Sequence, residues 1–557
     1  MIRKLLFIAL GIIAFTQSQY AAIESDEFLE SKCGTFYPGG SKYIARDRQL
    51  TEISAYDRPI LQKQQSSRSG RFLIHYDITG KNAVSPNDED ANGIPDYVDS
   101  VCYYFDYVHH IEVEQLHYLE PASDNGLGGS DAFDIYILNI GQGTSNEPGL
   151  YGYTVPETRL PGGIPSRTRY SAYIVIDNDY SQRDSSYTGN GKKYATFRDT
   201  SFLGMKITAA HEYNHAVQFM YGEDPSAPVM NELTSTWFEY RIFPETRDYM
   251  QYVEYLFKHP NSYTFGNGNA VTGYLYGIFG QYLHRYYGDS LLLRMWETIA
   301  KGVQSYDALN RALKERSGEL ATDWCEFMLW LYYTNERAKK DYGFDNAANF
   351  PLMSYYKDAQ FSPPSFTNSG WLSSYEFRFF KLTLNSQSKD KTSDIFDIIL
   401  TNTDIRAAIF QSENQMPYFL SVTDTPLPEY NEIANTGFYY KVEQEKGNIC
   451  NQPIIKEGII THSECYAYPN PFVFSKDDRI YFPAPLEAEI DSEVELYLMD
   501  NELNGIFEGP LRVVVNGERR VVEFDPHSLN NPSTGIYLYR VKSQTKECYG
   551  KIAIIIQ

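Results

Sequence analysis

Basic residues are scarce in this chain. Its 557 residues hold 49 Lys and Arg against 72 Asp and Glu, a formal net charge of -23. Nucleic-acid binding needs a basic surface facing the phosphates, so this balance argues against such a partner. Long apolar runs are missing beyond the first fifteen residues. No later stretch supplies the ~20 apolar residues that a membrane-spanning helix needs, so no transmembrane segment is expected in the mature protein. Cysteine is rare, with six residues at positions 33, 102, 325, 450, 465 and 548. None of them stands in a Cys-x-x-Cys pair, which argues against a structural zinc site built on cysteine. Histidine is also sparse, ten in all, so two histidines on one helical face are informative.

The one long apolar run, from Leu5 to Phe15, follows a short basic start and is too short to cross a bilayer. It predicts a secretory signal over residues 1–22, removed near residues 18 to 22. An even number of cysteines in an exported chain permits three disulfides. Loop closure favours Cys450 with Cys465, and Cys33 is expected to pair with Cys102.

His211-Glu212-Tyr213-Asn214-His215 is the most informative stretch. On a helix, residues four apart share a face, so both imidazoles can reach one metal ion. The glutamate between them projects beside that metal, where it can act as a general base towards water. Zinc would bring the pKa of a bound water towards ~7. A catalytic zinc takes three protein ligands and leaves one position open. Downstream, Met230 to Tyr240 predicts a second helix carrying Glu232 and Glu239 on nearly one face. Gly222, Pro225 and Pro228 mark the break between the two helices. His211, His215 and Glu232 form the expected ligand set. Glu239 is expected to accept from a ligand imidazole, with the two acids exchanging roles if the bend is longer.

At these residues the chain resembles the gluzincin metallopeptidases, which pair a His-Glu-x-x-His helix with a glutamate on the next helix, often inside Asn-Glu. Asn231-Glu232 matches that pair, although it comes two or three residues earlier than in the thermolysin and aminopeptidase N branches. The Gly-x-Met-Glu-Asn hallmark of aminopeptidases is absent, which favours an endopeptidase. Thr272 to Gly288 is similar to the helix that begins Tyr-x-x-Gly in aminopeptidase N relatives. The resemblance implies that Tyr274 stabilises the oxyanion, with Tyr276 the lesser candidate. Cys33, in Lys-Cys-Gly-Thr, has a faint similarity to a cysteine-switch propeptide, whose thiolate fills the open zinc position.

Asp88, Asp90 and Asn92 stand at positions one, three and five of an acidic loop, with Gly93 at six. Ile94 would offer its carbonyl, and Asp96 and Asp99 take positions nine and twelve. This spacing can wrap oxygen ligands around a structural calcium. The loop resembles the Asp-x-Asp-x-Asn-Gly loops of dockerins and thrombospondin repeats. Over roughly residues 70 to 340 the order of motifs resembles a family of secreted bacterial metalloproteases carrying a C-terminal sorting domain.

The expected fold class is α+β, a gluzincin-like metallopeptidase domain followed by β-sandwich domains. Residues 23–70 read as a polar lead or short propeptide with a flexible, cleavable end at Ser66 to Gly70. Residues 71–345 read as the catalytic domain, and 346–460 as a β-sandwich on their alternating pattern. Residues 461–557 read as a small β-domain. Tyr468 to Phe472, Ser533 to Val541 and Gly550 to Ile556 resemble the type A sorting domain of the Por (type IX) secretion system. The resemblance implies export through the outer membrane, a secreted or cell-surface location, and the secretion machinery as a partner besides peptide substrates. The expected function is therefore a secreted zinc- and calcium-binding endopeptidase with Glu212 as base. The alternative is a cell-surface adhesin whose metalloprotease-like domain is inactive.

Overall fold

In a computed structural model of the chain, the residues described are 32–35 and 58–556, apart from short internal stretches of which the longest are 385–394 and 457–466. The expected signal at 1–22 lies outside them, as does most of the expected propeptide. Helices and strands are both present and the strands form several sheets, consistent with the α+β expectation.

Three apolar runs with little polar interruption make the centre of the first sheet. They are β2 (Phe72–Tyr76), β3 (Phe133–Leu138) and β5 (Arg167–Asp177), which pair in parallel. Parallel strands need cover on both faces, which explains their continuous hydrophobicity. Ile135, Ile137, Ile174 and Ile176 face the main core, while Tyr136, Tyr173 and Val175 turn to a smaller cluster behind the sheet. The antiparallel strands β1 (Lys63–Ser66) and β4 (Gly152–Ile164) close the two edges, in the order β1-β2-β3-β5-β4.

β1 requires a correction to the domain start. The segment expected to be a flexible, cleavable end is a tight hairpin between β1 and β2. The Asp106 carboxylate accepts from the Ser67 hydroxyl at 2.8 Å and the Ser69 amide at 3.0 Å, which holds the turn. Further upstream, Arg58 is inserted among Asp124, Asp134 and Glu157, with its Nε donating to Glu157 at 2.8 Å.

Helices α1 (Asp96–His109) and α2 (Phe202–Tyr221) pack together against the sheet. Every residue of α2 from Gly204 to Tyr221 except Lys206 is buried. Helix α3 (Pro228–Ile242) packs on α2, followed by α4 (Met250–Lys258). The stretch expected to be one helix over 272–288 is two, α5 (Ala270–Leu275) and α6 (Gly277–Tyr287), separated at Tyr276. Asn269 caps α5 in a reciprocal box with Thr272. Gly273 and Gly277 lie against α3, where a β-carbon would fall 2.4 Å from Glu232 Cβ and 2.6 Å from Thr236 Cγ2. Helices α7 (Ser290–Ile299), α8 (Ser305–Lys314) and α9 (Leu320–Tyr332) complete the core.

Two sheets of a β-sandwich follow, enclosing Leu372, Phe380, Leu382, Ile398, Leu400, Tyr418, Leu420 and Val422. Its strand Phe377–Leu384 also turns Phe377 and Phe379 into the helical core. Trp324 of α9 donates its indole N–H to the Thr401 hydroxyl at 2.9 Å, tying sandwich to helices. The last domain has its own core, from Ala467 to Ile554. Its strand Gly505–Asn516 pairs with one neighbour along its first half and another along its second, so it passes from one sheet layer to the next. The three segments singled out in the sequence are brought side by side: Phe472–Val473 pairs with Glu547–Ile555, which pairs with Gly535–Lys542. No helix among the described residues is long and apolar enough to cross a membrane.

Gly277→Val should force α6 away from Thr236, an overpacking cost of about 1–3 kcal/mol. A urea midpoint unchanged from wild type would show that α3 and α6 do not need this close approach.

Candidate metal centre

The polar residues of α2 have no water to turn to, so each needs a partner inside the protein. His211 and His215 direct their Nε2 atoms to one point, 3.1 Å apart. Glu232 Oε2 of α3 lies 3.0 Å from His211 Nε2 and 3.6 Å from His215 Nε2. Two ligands ~2.0–2.1 Å from a tetrahedral zinc stand ~3.3 Å apart, so this spacing suits the ion. Glu232 Oε1 is buried with no hydrogen-bond partner, a second sign that the set is made for a cation. Burial pushes the Glu232 carboxyl up, but His215 and His211 outweigh it and hold it well below the usual carboxylate range. The donor set therefore fits a metal.

The far side of each ring is also held. His211 Nδ1 donates to Glu239 Oε1 at 2.6 Å, so Glu239 stands behind the ligand and Glu232 beside the expected ion. His215 Nδ1 donates to Gln218 Oε1 at 2.9 Å. Gln218 Nε2 donates in turn to Asn214 Oδ1 at 2.6 Å and to the Asn231 carbonyl at 3.0 Å. Ser235 donates to Asn214 Oδ1 at 3.0 Å, and Asn214 Nδ2 to the buried Glu112 at 3.1 Å. Such outer contacts fix ring orientation and the tautomer that presents Nε2 to a metal. Gln218 and Ser235 escaped the sequence reading. Their signal was a polar residue one turn on from His215 and from Glu232, on the same helical face.

Glu212 is buried between the two histidines. Its Oε2 accepts from the Thr154 hydroxyl of β4 at 2.8 Å. Gly152 makes this approach possible, since a β-carbon there would sit 2.6 Å from Thr208 Cγ2 and 2.9 Å from Glu212 Cγ. Tyr274 is buried with its ring 5.7 Å from that of His211 and nearly parallel to it. Tyr276 points elsewhere, donating its hydroxyl to the Tyr263 carbonyl at 3.2 Å.

Residues 32–35 lie in this site. Cys33 Sγ belongs to one compact buried group with ligand atoms of His211, His215 and Glu232, all within 4.8 Å of one another. The expected pairing of Cys33 with Cys102 is therefore overturned: neither is in a disulfide, and Cys102 is on α1. Cys325 and Cys548 are disulfide-bonded. The expected Cys450–Cys465 pair includes a residue outside the described ones. Burial and the charges of Glu212 and Glu232 push the Cys33 thiol up, so a cation is what would favour its thiolate.

In the acidic loop, Asp88, Asp90 and Asp96 converge within 4.8 Å. Asn92 Nδ2 donates to Asp90 at 3.2 Å and to Asp99 at 2.9 Å, which brings these two acids to the same loop core. Asp88 accepts from the Asn92 and Gly93 amides at 3.0 and 2.9 Å. Asp177, Asp179 and Asp184 form another acidic group. There both Asp177 oxygens are taken by the amides of Ile140, Gly141, Asp179 and Tyr180, which makes it a loop anchor.

No family model matches the chain, and no curated protein does. Among solved structures, neural ectodermal development factor IMP-L2 aligns at 9% identity over 36% of this chain and 88% of that one, with a TM-score of 0.07. That likeness carries no argument about fold or function.

Two measurements check the site. Gln218→Ala should weaken zinc binding by about 10- to 100-fold in competition with a chromophoric chelator; unchanged affinity would mean that His215 needs no support from behind. Asp88→Ala should abolish any calcium-dependent rise in the melting midpoint, whereas an equal rise in the variant would remove calcium from this loop.

Proposed function

We propose that the chain is an exported zinc metallopeptidase that cuts within polypeptides. The observation that carries this reading is the convergence of His211, His215 and Glu232 around one point, with Glu212 alongside on the same helix. Zinc held there would act as a Lewis acid on the scissile carbonyl and make water more acidic. The exposed edge of a sheet can hold an extended peptide by main-chain hydrogen bonds, which grips a substrate away from its ends. β4 is an edge strand of the first sheet, and its Thr154 holds Glu212. Glu212 takes the proton of the attacking water and passes it to the departing amine. Tyr274, stacked against His211, directs its hydroxyl to the oxyanion. Export is supported by the apolar start of the chain and by the three adjoining C-terminal segments that resemble a type IX sorting domain. The Asp88–Asp99 loop holds calcium as a structural brace.

In secreted protein, Glu212→Gln should lower casein hydrolysis by at least about 10²-fold while elemental analysis finds the same zinc content. Undiminished hydrolysis would remove Glu212 from the chemistry. Tyr274→Phe should lower kcat by about 10²-fold with KM little changed. A rise in KM alone would instead make the tyrosine a substrate-binding group.

A further inference from the structure

The four residues Lys32 to Thr35 each occupy something that hydrolysis would need. Cys33 forms a parallel bridge with Gly152, the Gly34 amide donates to the Gly152 carbonyl at 3.0 Å, and the Tyr151 amide donates to the Lys32 carbonyl at 2.9 Å. The segment thus takes the backbone positions at the start of β4 that an extended substrate would use. The Thr35 hydroxyl donates to Glu212 Oε2 at 3.1 Å and accepts from the Thr154 amide at 2.8 Å, so it sits on the general base. Lys32 Nζ donates to Glu239 Oε2 at 2.7 Å and Asp248 Oδ2 at 2.5 Å, among the rings of Tyr151, Tyr252 and Tyr274. Glu239 is the residue that holds His211 from behind.

We propose that residues 32–35 are a built-in inhibitory segment in which Cys33 is the fourth zinc ligand. This rests on the metallopeptidase reading and names how that site is kept inactive. A Cys, two His and one Glu make a closed tetrahedral set, whereas catalysis needs one position open to water. Three further contacts reinforce the block, on the base, on the β4 edge and, through Lys32, on the Glu239 and Asp248 carboxylates. A thiolate ligand alone would exchange with water; a segment held at four points does so far less often. Hydrolysis of one peptide bond between Thr35 and Arg58, consuming one water, would convert this intramolecular ligand into one that can diffuse away. Arg58 is fixed among Asp124, Asp134 and Glu157, so the chain that follows the cut keeps its place on the sheet.

Cobalt(II) in place of zinc tests the ligand directly, on the intact chain and without an activity assay. The wild type should show visible d–d bands of a four-coordinate ion together with a near-ultraviolet thiolate-to-cobalt charge-transfer band. Cys33→Ser should lose the charge-transfer band and keep the d–d bands. Its intact zinc form should hydrolyse casein at least about 10-fold faster than intact wild type, because the active fraction rises. Tetrahedral d–d bands without a charge-transfer band in wild type would overturn the inhibitory ligand and leave the metallopeptidase reading standing. Absence of cobalt bands from both proteins would overturn both. Equal hydrolysis by intact wild type and Cys33→Ser would also overturn the inhibition. The wild-type spectrum decides the ligand even if the variant does not fold.

Discussion

A helix buried on nearly every side, yet carrying two histidines, a glutamate, an asparagine and a glutamine, sets the terms for its surroundings. Polar groups taken out of water must be satisfied by the protein, and the neighbours of α2 supply that satisfaction side by side. Helix α3 brings Glu232 and Glu239, β4 brings Thr154, and the turn of α2 itself brings Gln218. On another side α3 is approached closely by α5 and α6, where Gly273, Gly277 and Gly280 leave room for Glu232, Thr236 and Trp237. Sheet and helices answer one requirement.

The sequence carried the centre of this arrangement and little of its periphery. Residues four apart on a helix must share a face, so His211 and His215 could be paired without any knowledge of packing. Glu232 and Glu239 followed from the same periodicity, and the structure places Glu232 beside both Nε2 atoms and Glu239 on His211 Nδ1. The acidic loop was legible because its ligand spacing is local. Cys33 was not, since its neighbours in space are about 180 residues away in the chain and no local pattern records them. Pairing it with Cys102 followed from counting thiols, which ignores the imidazoles and the carboxylate gathered around one of them. The break at Tyr276 was equally hidden, because the helical pattern continues through it and the Asn269 cap marks only where α5 begins.

The second half of the chain bears on the site indirectly. The sandwich reaches α9 through Trp324 and Phe377, so this part of the helical core is backed by a sheet. Among the described residues, the last domain keeps a core in which no residue of the helical part takes part. Its core is therefore separate from the one around α2 and α3. On the other side of the first sheet, Arg58 neutralises acids that would otherwise repel one another behind β3 and β4.

Sheet edges carry a hazard of their own, because unpaired backbone groups invite pairing with another chain. Of the two edges of the first sheet, β4 is long and lies beside the most polar part of the core, and residues 32–35 cover its beginning. The folded chain therefore has that edge partly capped by its own backbone. The same four residues shield this part of the edge from pairing with a second chain.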